Sequence, residues 1–240
     1  MRRPIPLLSR TTLEFPPPDE ATDEPNGLLA MGGDLSVPRL LEAYARGIFP
    51  WFDSDDHPIL WWSPDPRGVL EPAAVNVSRS LRRRLCRNEY RCTMDNAFDE
   101  VIRACAGKRP NMSGTWITPK MRQAYVRLFD SGYAHSVETW YGDEIVGGLY
   151  GVSLGRFFFG ESMFARQSDA SKIALVSLAA QLHRWHFELI DCQMMNPHLA
   201  TLGARPMPRA VFLSRLSHNR RHPTRRGRWQ FEEHEGRADA

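Results

Sequence analysis

The chain has 240 residues, of which 42% are hydrophobic and 25% are charged; this composition is close to globular averages and excludes wholesale disorder. Its 31 basic and 28 acidic residues leave a net charge of +3, so the overall charge by itself predicts no nucleic-acid partner. No apolar run approaches the ~20 residues of a membrane span or forms a signal peptide, and the four cysteines lack metal-binding spacing, which together favour an intracellular protein with reduced thiols.

The first part of the chain, residues 1–70, is rich in proline and aromatic residues. The proline and aromatic clusters lie at 15–18, 49–52 and 61–66. One helix is predicted over 38–45, because Ser36 is a suitable N-cap and Gly47 a suitable stop. We therefore expect a small N-terminal domain of largely irregular structure over residues 1–70.

Residues 71–220 have the pattern of a second domain, in which helices precede a group of strands. Helices are predicted at 78–87, 97–106, 119–130, 170–185 and 209–216, and strands at 135–141, 144–152, 156–163 and 189–194. The helix at 119–130 has the clearest start, with Thr118 as N-cap and Pro119 at the first helical position. Three consecutive antiparallel strands, a buried helix and a further strand predict the α+β class with a mixed sheet. Residues 221–240 are expected to form an arginine-rich and then acidic tail.

The charges are unevenly distributed along the chain. Residues 13–34 carry six acidic residues and no basic one, and residues 79–91 carry six arginines against Glu89 alone. Residues 205–228 hold eight arginines and no acidic residue. Such blocks favour a surface that faces a polyanion, although a solvated helix face is the commoner explanation of any single block.

A series of motifs connects this chain to a known family. In order, the motifs are EPNGLLAMGGDL at 24–35, RGIFPWF at 46–52, LWWSPDPR at 60–67, GTWIT at 114–118, GGLYGV at 147–152, FGESMF at 159–164 and LIDCQ at 189–193. Each motif is weak alone, but together and in this order they closely resemble the bacterial leucyl/phenylalanyl-tRNA–protein transferases. The resemblance runs from about residue 5 to about residue 217.

The resemblance implies a cytoplasmic, monomeric enzyme that uses no metal and no cofactor. Its expected reaction moves Leu or Phe, and less well Met, from aminoacyl-tRNA to the α-amine of proteins that begin with Arg or Lys. The modified N-terminus then marks the acceptor for degradation by the N-end rule. The resemblance also implies that the C-terminal domain has the N-acetyltransferase-like fold, in agreement with the predicted order of strands and helices.

Asp191 and Gln193 are two residues apart in a predicted strand, so their side chains are expected on one face of the sheet. A lone aspartate at a strand end is more often a turn or cap residue, but the resemblance implies that both residues lie at the reaction centre. An amide is a poor proton acceptor, so Gln193 is better suited to orient the attacking amine. Asp191 could draw a proton from that amine, directly or through Gln193, and the donor's ribose hydroxyl could carry the leaving-group proton.

Four more residues are assigned to substrate binding by the resemblance. On sequence grounds alone, Glu161 could be an exposed carboxylate on a strand. The resemblance implies instead that Glu161 and Asp191 together give negative potential where the Arg or Lys of the acceptor docks. Leu149, Met163 and Ile190 would be core residues by ordinary burial preference. The resemblance implies instead that these three line the pocket for the donor's side chain, and a flexible Met suits a pocket that accepts both Leu and Phe.

Contacts to the RNA part of the donor are also implied by the resemblance. Trp51, Trp116 and Tyr125, which could otherwise be core aromatics, would border the terminal adenosine. Asn196 would hydrogen-bond the substrate backbone. In addition, Arg82, Arg83 and Arg84 would hold the phosphates of the tRNA acceptor stem, unless they form a solvated helix face.

Three other functions are compatible with parts of this pattern. An acyl-CoA-dependent N-acetyltransferase needs a glycine-rich connection for pyrophosphate, but residues 165–171 contain no glycine, and Asp169 at the helix start would repel phosphate. A non-catalytic RNA-binding module would explain the arginines and aromatics. A tRNA-dependent transferase that builds cell-wall peptides would share the fold and the donor but not the acidic acceptor site.

Overall fold

The structure, a computed structural model, describes residues 4–107 and 115–232. Gly114 of the GTWIT motif and the acidic residues after 232 lie outside these ranges. The strands of the described residues are β1 (Leu7–Leu8), β2 (Leu28–Gly32), β3 (Phe49–Pro50), β4 (Leu60–Trp62), β5 (Arg67–Leu70), β6 (Arg91–Met94), β7 (Ala134–Tyr141), β8 (Glu144–Leu154), β9 (Phe157–Ala165), β10 (Leu189–Gln193) and β11 (Arg205–Met207). The helices are α1 (Val37–Ala45), α2 (Arg79–Arg87), α3 (Phe98–Cys105), α4 (Pro119–Asp130), α5 (Ala170–Arg184), α6 (Pro197–Thr201) and α7 (Arg209–Asn219).

The N-terminal part of the chain forms a small four-stranded sheet in the order β1-β2-β4-β3, beside helix α1. Trp61 anchors this sheet: it has no exposed surface, packs edge-to-face on Phe15 and donates its indole N–H to Gly32 O at 2.9 Å. The predicted ends of α1 are confirmed, since Ser36 Oγ accepts the Arg39 N–H and the chain turns at Gly47 with φ +72°. The four strands were not predicted from sequence, because segments of two to five residues are too short to show periodicity.

The second sheet has seven strands in the order β11-β5-β10-β9-β8-β7-β6. All neighbouring strands run antiparallel except β9 and β10, which are parallel and are joined through helix α5. The mixed sheet and the α+β class predicted from sequence are confirmed. Because β10 follows α5 into the middle of the sheet, residues 189–193 lie between β5 and β9, and this position builds the site described below.

The predicted elements of the second domain differ from the observed ones mainly at their ends. Helix α4 has the predicted bounds, and β8 and β9 each extend two residues further than predicted. Strands β5, β6 and β11 and the short helix α6 were missed. Each has three to five residues and is held by pairing or packing with distant segments. Such short elements show no periodic sequence pattern from which they could be predicted. Strand β5, which precedes residue 71, pairs with β10 in the large sheet. The predicted domain boundary at residues 70 and 71 stays a prediction.

The arginine-rich segment after α7 packs on the large sheet through residue 232. Trp229 is 2% exposed, stacks on the His135 ring with 3.6 Å between centroids and donates its backbone N–H to Asp95 Oδ2 at 2.7 Å. Gly227 N–H bonds Gly132 O, which ties the same segment to the turn after α4. Residues 221–232, which were expected to be part of a tail, are therefore part of the folded domain. Within residues 4–107 and 115–232, no helix is both long and apolar enough to cross a membrane.

Candidate active site

A cavity of about 840 Å³ opens between the large sheet and helices α5 and α6. Leu149 and Met163 face each other across β8 and β9, and Ile190 lies on the neighbouring strand β10. The three residues predicted to form the donor pocket thus lie together on the wall of this cavity. Its other apolar walls come from Phe158, Leu175, Leu178 and Leu199. The cavity is therefore a mostly apolar pocket of the size that accepts a small ligand.

Glu161 is the polar centre of this cavity. It is the extra residue of a bulge in β9, because Tyr150 pairs with Ser162 while Gly151 pairs with Gly160. Its carboxylate accepts hydrogen bonds from Tyr44 Oη at 2.7 Å and Tyr125 Oη at 2.6 Å. Burial outweighs these two hydrogen bonds and raises the pKa of Glu161 from 4.5 to about 7. Glu161 is thus partly buried, fully hydrogen-bonded and close to half-ionised at neutral pH.

Gln193 lies beside Glu161 at the end of β10. Its side-chain Nε2 donates to Glu161 Oε1 at 3.2 Å, and its backbone N–H donates to Asp191 Oδ1 at 2.9 Å. The residue has φ +56°, and the pairing of β10 with β5 shifts register between Asp191 and Gln193. The strand alternation assumed from sequence therefore breaks at Gln193. The side-chain nitrogen of Gln193 donates to Glu161. Its carboxamide oxygen is an acceptor and can take a hydrogen bond from a substrate N–H.

Asp191 has no exposed surface and does not line the cavity. Both of its carboxylate oxygens accept from the Arg67 guanidinium, Oδ1 from Nε at 2.8 Å and Oδ2 from Nη2 at 2.7 Å. Of the two proton routes left open by the sequence, direct contact between Asp191 and an amine in the cavity is excluded in this geometry. Asp191 is paired with Arg67, and its expected contribution of negative potential for a cationic acceptor stays a prediction.

The aromatic residues predicted to border an adenosine lie in two different environments. Trp51 and Trp116 line the cavity, and Trp51 is 42% exposed with its ring edge-to-face on Trp62. Tyr125 has no exposed surface and is bonded to Tyr44 and Glu161, and its predicted place beside an adenosine stays a prediction that this burial does not support. A base cannot stack on a ring that the protein already covers on all sides.

Asn196 lies at the rim of the cavity and caps helix α6. Its side-chain Oδ1 accepts the Leu199 N–H at 2.8 Å. The amide NH₂ is therefore the group that Asn196 can direct to a substrate carbonyl. This position agrees with the predicted contact to the substrate backbone, whose role stays a prediction.

The three consecutive arginines of α2 lie outside the cavity and face different ways. Arg82 and Arg83 are exposed. Arg84 is partly buried, with Nε 3.5 Å from Asp169 Oδ2 and Nη1 3.3 Å from Tyr90 Oη. Arg84 thus has partners within the protein, while Arg82 and Arg83 face solvent. The phosphate site at the three arginines stays a prediction, for which Arg82 and Arg83 are the more accessible residues.

The start of helix α5, where an acyl-CoA enzyme would hold pyrophosphate, carries the carboxylate of Asp169. Its Oδ1 is 2.9 Å from Lys172 Nζ, and its Oδ2 pairs with Arg84. Asp169 adopts φ +64° and makes no side-chain cap, so the carboxylate faces these two cations. Lys172 and Arg84 are thus both paired with the carboxylate of Asp169 at this helix start.

Two residues that hold the polar groups of the site, Arg67 and Tyr44, were not predicted from the sequence. Arg67 ends the LWWSPDPR motif but is one arginine among many, and its partner Asp191 is 124 residues away. Tyr44 was a residue of the apolar stripe of α1, and its partner Glu161 is 117 residues away. The motif at 60–67 was the one signal that could have identified Arg67. Across the described ranges, no group of three His, Cys, Asp or Glu residues is arranged to hold a metal ion.

The α+β fold and an apolar pocket that also carries a carboxylate and a carboxamide are compatible with an enzyme that transfers an acyl or aminoacyl group. Comparison with known proteins gives the particular family. The family model "Leucyl/phenylalanyl-tRNA protein transferase" matches residues 69–217, and the model of that family's N-terminal domain matches residues 33–65. The chain belongs to this family and is an aminoacyltransferase.

Individual relatives agree with the family match over almost the whole chain. The leucyl/phenylalanyl-tRNA–protein transferase of Thiobacillus denitrificans is 58% identical over 91% of this chain and 95% of that relative. The transferase of the same name from Anaeromyxobacter dehalogenans is 59% identical over 90% of this chain and 92% of that relative. Among solved structures, the chain is similar to a GCN5-related N-acetyltransferase from Kribbella flavida, with a TM-score of 0.38 and 10% identity over 70% of this chain and 60% of that one.

Proposed function

We propose that this enzyme moves Leu or Phe, and less well Met, from aminoacyl-tRNA to the α-amine of proteins that begin with Arg or Lys. The modified N-terminus would mark these proteins for degradation by the N-end rule in the cytoplasm, with the enzyme acting as a monomer. One observation carries the proposal: the apolar cavity ends at the Glu161–Gln193 pair. A side-chain pocket for the donor and a polar site for an amine therefore meet at one point.

The donor's side chain fits the apolar part of the cavity. Leu149, Met163 and Ile190 surround it, and Met163 can change rotamer to accept either an aliphatic or an aromatic group. Trp51 and Trp116 lie on the same cavity with ring surface available for the terminal adenosine. Base stacking of this kind contributes ~1–3 kcal/mol per base. The Asn196 amide can donate to a carbonyl of the bound donor.

The acceptor's N-terminus is assigned to Glu161 and Gln193. The carboxylate of Glu161, where ionised, attracts a cationic Arg or Lys side chain, while the buried Asp191 is paired with Arg67. The Gln193 carboxamide oxygen accepts an N–H from the attacking amine and orients its lone pair. Tyr44 and Tyr125 hold Glu161 in place, so the polar end of the cavity is preorganised.

The chemical step needs little acid–base help from the protein. The neutral α-amine nitrogen forms a bond to the ester carbonyl carbon, and the bond from that carbon to the ribose oxygen breaks. The amine loses one proton, and the departing ribose oxygen gains one, for which the vicinal hydroxyl of the same ribose is the carrier. An α-amine has a pKa of about 8, so a usable neutral fraction exists near pH 7. Because the ester is already activated, positioning supplies most of the rate.

The test is transfer of labelled Leu from charged tRNA to peptides that start with Arg, Lys, Ala or Glu. Arg and Lys peptides should be modified, and Ala and Glu peptides should remain at background. Equal acceptance of all four would contradict the proposed acceptor. Binding of charged tRNA without any transfer would favour a non-catalytic RNA-binding module, and transfer from a simple acyl-CoA would favour an N-acetyltransferase.

A further inference from the structure

The guanidinium of Arg67 is enclosed at the junction of four segments of the chain. It lies between the rings of Phe49 and Phe212, with its carbon 4.9 and 4.7 Å from the two ring centroids. Its Nη1 donates to Gly47 O at 3.0 Å, and its Nε and Nη2 donate to the two oxygens of Asp191. The N-terminal domain, helix α7 and strand β10 therefore all meet on one side chain that is 1% exposed.

The ion pair with Arg67 determines what Asp191 can do. Each carboxylate oxygen accepts one guanidinium N–H in a bidentate arrangement, which is both the strongest and the most strictly oriented pairing of these groups. Oδ1 accepts one further hydrogen bond, from the backbone N–H of Gln193. Asp191 thus links Arg67 to the backbone of the residue proposed to orient the amine.

The backbone of Gln193 needs such support, because its φ of +56° is a left-handed conformation that residues with a side chain rarely adopt. The hydrogen bond from Gln193 N–H to Asp191 holds this turn of the chain at the end of β10. This backbone conformation directs the carboxamide of Gln193 toward Glu161 and the cavity. A shift of Asp191 would therefore move the Gln193 side chain, while Leu149 and Met163 on β8 and β9 would stay in place.

We propose that Arg67 is a positioning residue of the transfer reaction, which holds Asp191 so that Asp191 fixes the backbone of Gln193. The carboxylate of Asp191 serves this pairing and does not accept the amine's proton. The inference rests on the proposed function, since it concerns the geometry of the same reaction centre. It adds a role for the N-terminal domain, whose Gly47 and Phe49 hold the guanidinium.

The experiment compares Arg67→Lys with a matched control, Arg39→Lys. Arg39 is also a fully buried arginine, paired with Asp34 at 3.3 Å, but it lies in the N-terminal domain without contact to β10. Lysine keeps the charge but cannot make the planar two-point contact. We expect Arg67→Lys to lower kcat for Leu transfer to an Arg peptide about 100-fold, with the donor KM within about 3-fold of wild type. Arg39→Lys should lower the Tm but leave kcat within about 3-fold.

Two further variants separate positioning from general destabilisation. In a Gln193→Ala background, adding Arg67→Lys should change kcat less than about 3-fold, because the residue that Arg67 positions is already absent. Asp191→Asn keeps the shape of the side chain and serves as the second test where Arg67→Lys fails to fold. It should lower kcat and leave the number of ionisations in the pH profile of kcat/KM unchanged. All rates are measured well below the Tm of each variant.

The outcomes distinguish this inference from the function on which it rests. Absence of Leu transfer by the wild-type protein would overturn both. If the wild type is active, a full 100-fold effect of Arg67→Lys in the Gln193→Ala background would overturn the inference alone. Loss of an ionisation from the pH profile in Asp191→Asn would also overturn it, since Asp191 would then be the proton acceptor.

Discussion

At the scale of single residues, Glu161 and Asp191 are two carboxylates on adjacent strands whose surroundings give them different chemistry. Glu161 is bonded to the neutral groups of Tyr44, Tyr125 and Gln193, and burial raises its pKa to about 7. Asp191 is bonded to the permanent cation of Arg67. Burial therefore brings the pKa of Glu161 close to neutral pH, and a pH effect at the active site is expected from this residue.

The first prediction concerns the pH dependence of acceptor binding. As pH falls through about 7, Glu161 takes up a proton and loses its attraction for a cationic acceptor, so the KM for an Arg peptide should rise. Glu161→Gln should have a KM that is high throughout and lacks this inflection. The measurement is KM from pH 6 to pH 8.5, with the exposed Glu144→Gln as control. An inflection near pH 7 that persists in Glu161→Gln would assign it to another group.

The same ionisation predicts a second readout, the free energy of unfolding. The pKa of Glu161 is higher in the folded protein than its ordinary value of 4.5, so the folded state holds the proton more tightly. Stability from this group is present below pH 4.5 and is lost as pH rises to about 7, by an amount on the order of 2 kcal/mol. Urea denaturation of Glu161→Gln should show a smaller decline over this range than the wild type.

The second prediction concerns the size of the donor pocket. Met163→Ala removes side-chain volume opposite Leu149, and the smaller Leu is left with the larger void. Leu transfer should therefore decline more than Phe transfer, and the ratio of their kcat/KM values should shift roughly 10- to 100-fold toward Phe. Met31→Ala, on the N-terminal sheet, is the control. An unchanged ratio of the two kcat/KM values would contradict a role of Met163 in the donor pocket and leave it a purely structural role.

At the scale of elements, helix α2 shows why a run of like residues is not one surface. Arg82 and Arg83 are exposed. Arg84 contacts Tyr90, just before β6, and Ser168 and Asp169, just before α5. The strongest basic run in the sequence is thus divided between a solvent-facing side and a contact that holds two helices together. We therefore expect phosphate contacts from Arg82 and Arg83 and a structural role for Arg84.

The third prediction tests this division by the salt dependence of charged-tRNA binding. The double variant Arg82→Ala/Arg83→Ala should weaken binding and lower the slope of log K against log salt by about 0.9 for each phosphate contact, by analogy with duplex DNA. Arg84→Ala should leave the slope unchanged and lower the Tm. An aminoacyl-adenosine fragment should react equally well with all variants, because it does not reach α2. A slope lowered by Arg84→Ala alone would reverse the assignment.

At the scale of the whole molecule, the segment after α7 completes the core. Trp229 contacts Phe158, Trp185 and Phe187 in addition to His135, and Phe158 also lines the donor cavity. Asn219 secures the start of the segment, since its side chain bonds both Arg156 N–H and Leu154 O at the β8–β9 turn. These contacts lie beyond residue 217, where the match to the family model ends.

The fourth prediction is that Trp229→Ala lowers the free energy of unfolding by about 3–5 kcal/mol, the usual cost of removing a large buried aromatic side chain. Urea denaturation at neutral pH measures this change. Trp51→Ala is the matched control: the same substitution at a partly exposed site should leave stability nearly unchanged and raise the donor KM instead. Equal stability of Trp229→Ala and wild type would mean that the segment is detached in solution.

The sequence by itself determined the order of the main elements, the ends of α1 and α4, the α+β class and, through its motifs, the family. These features depend on residues a few positions apart, such as a cap three residues from its N–H or an apolar stripe along one helix. Only the tertiary structure decided that Arg67 pairs with Asp191, that Tyr125 is covered, that Arg84 contacts Asp169 and that Trp229 is buried. These facts join residues roughly a hundred positions apart, and their energies depend on strand register and burial, which have no local pattern in the chain.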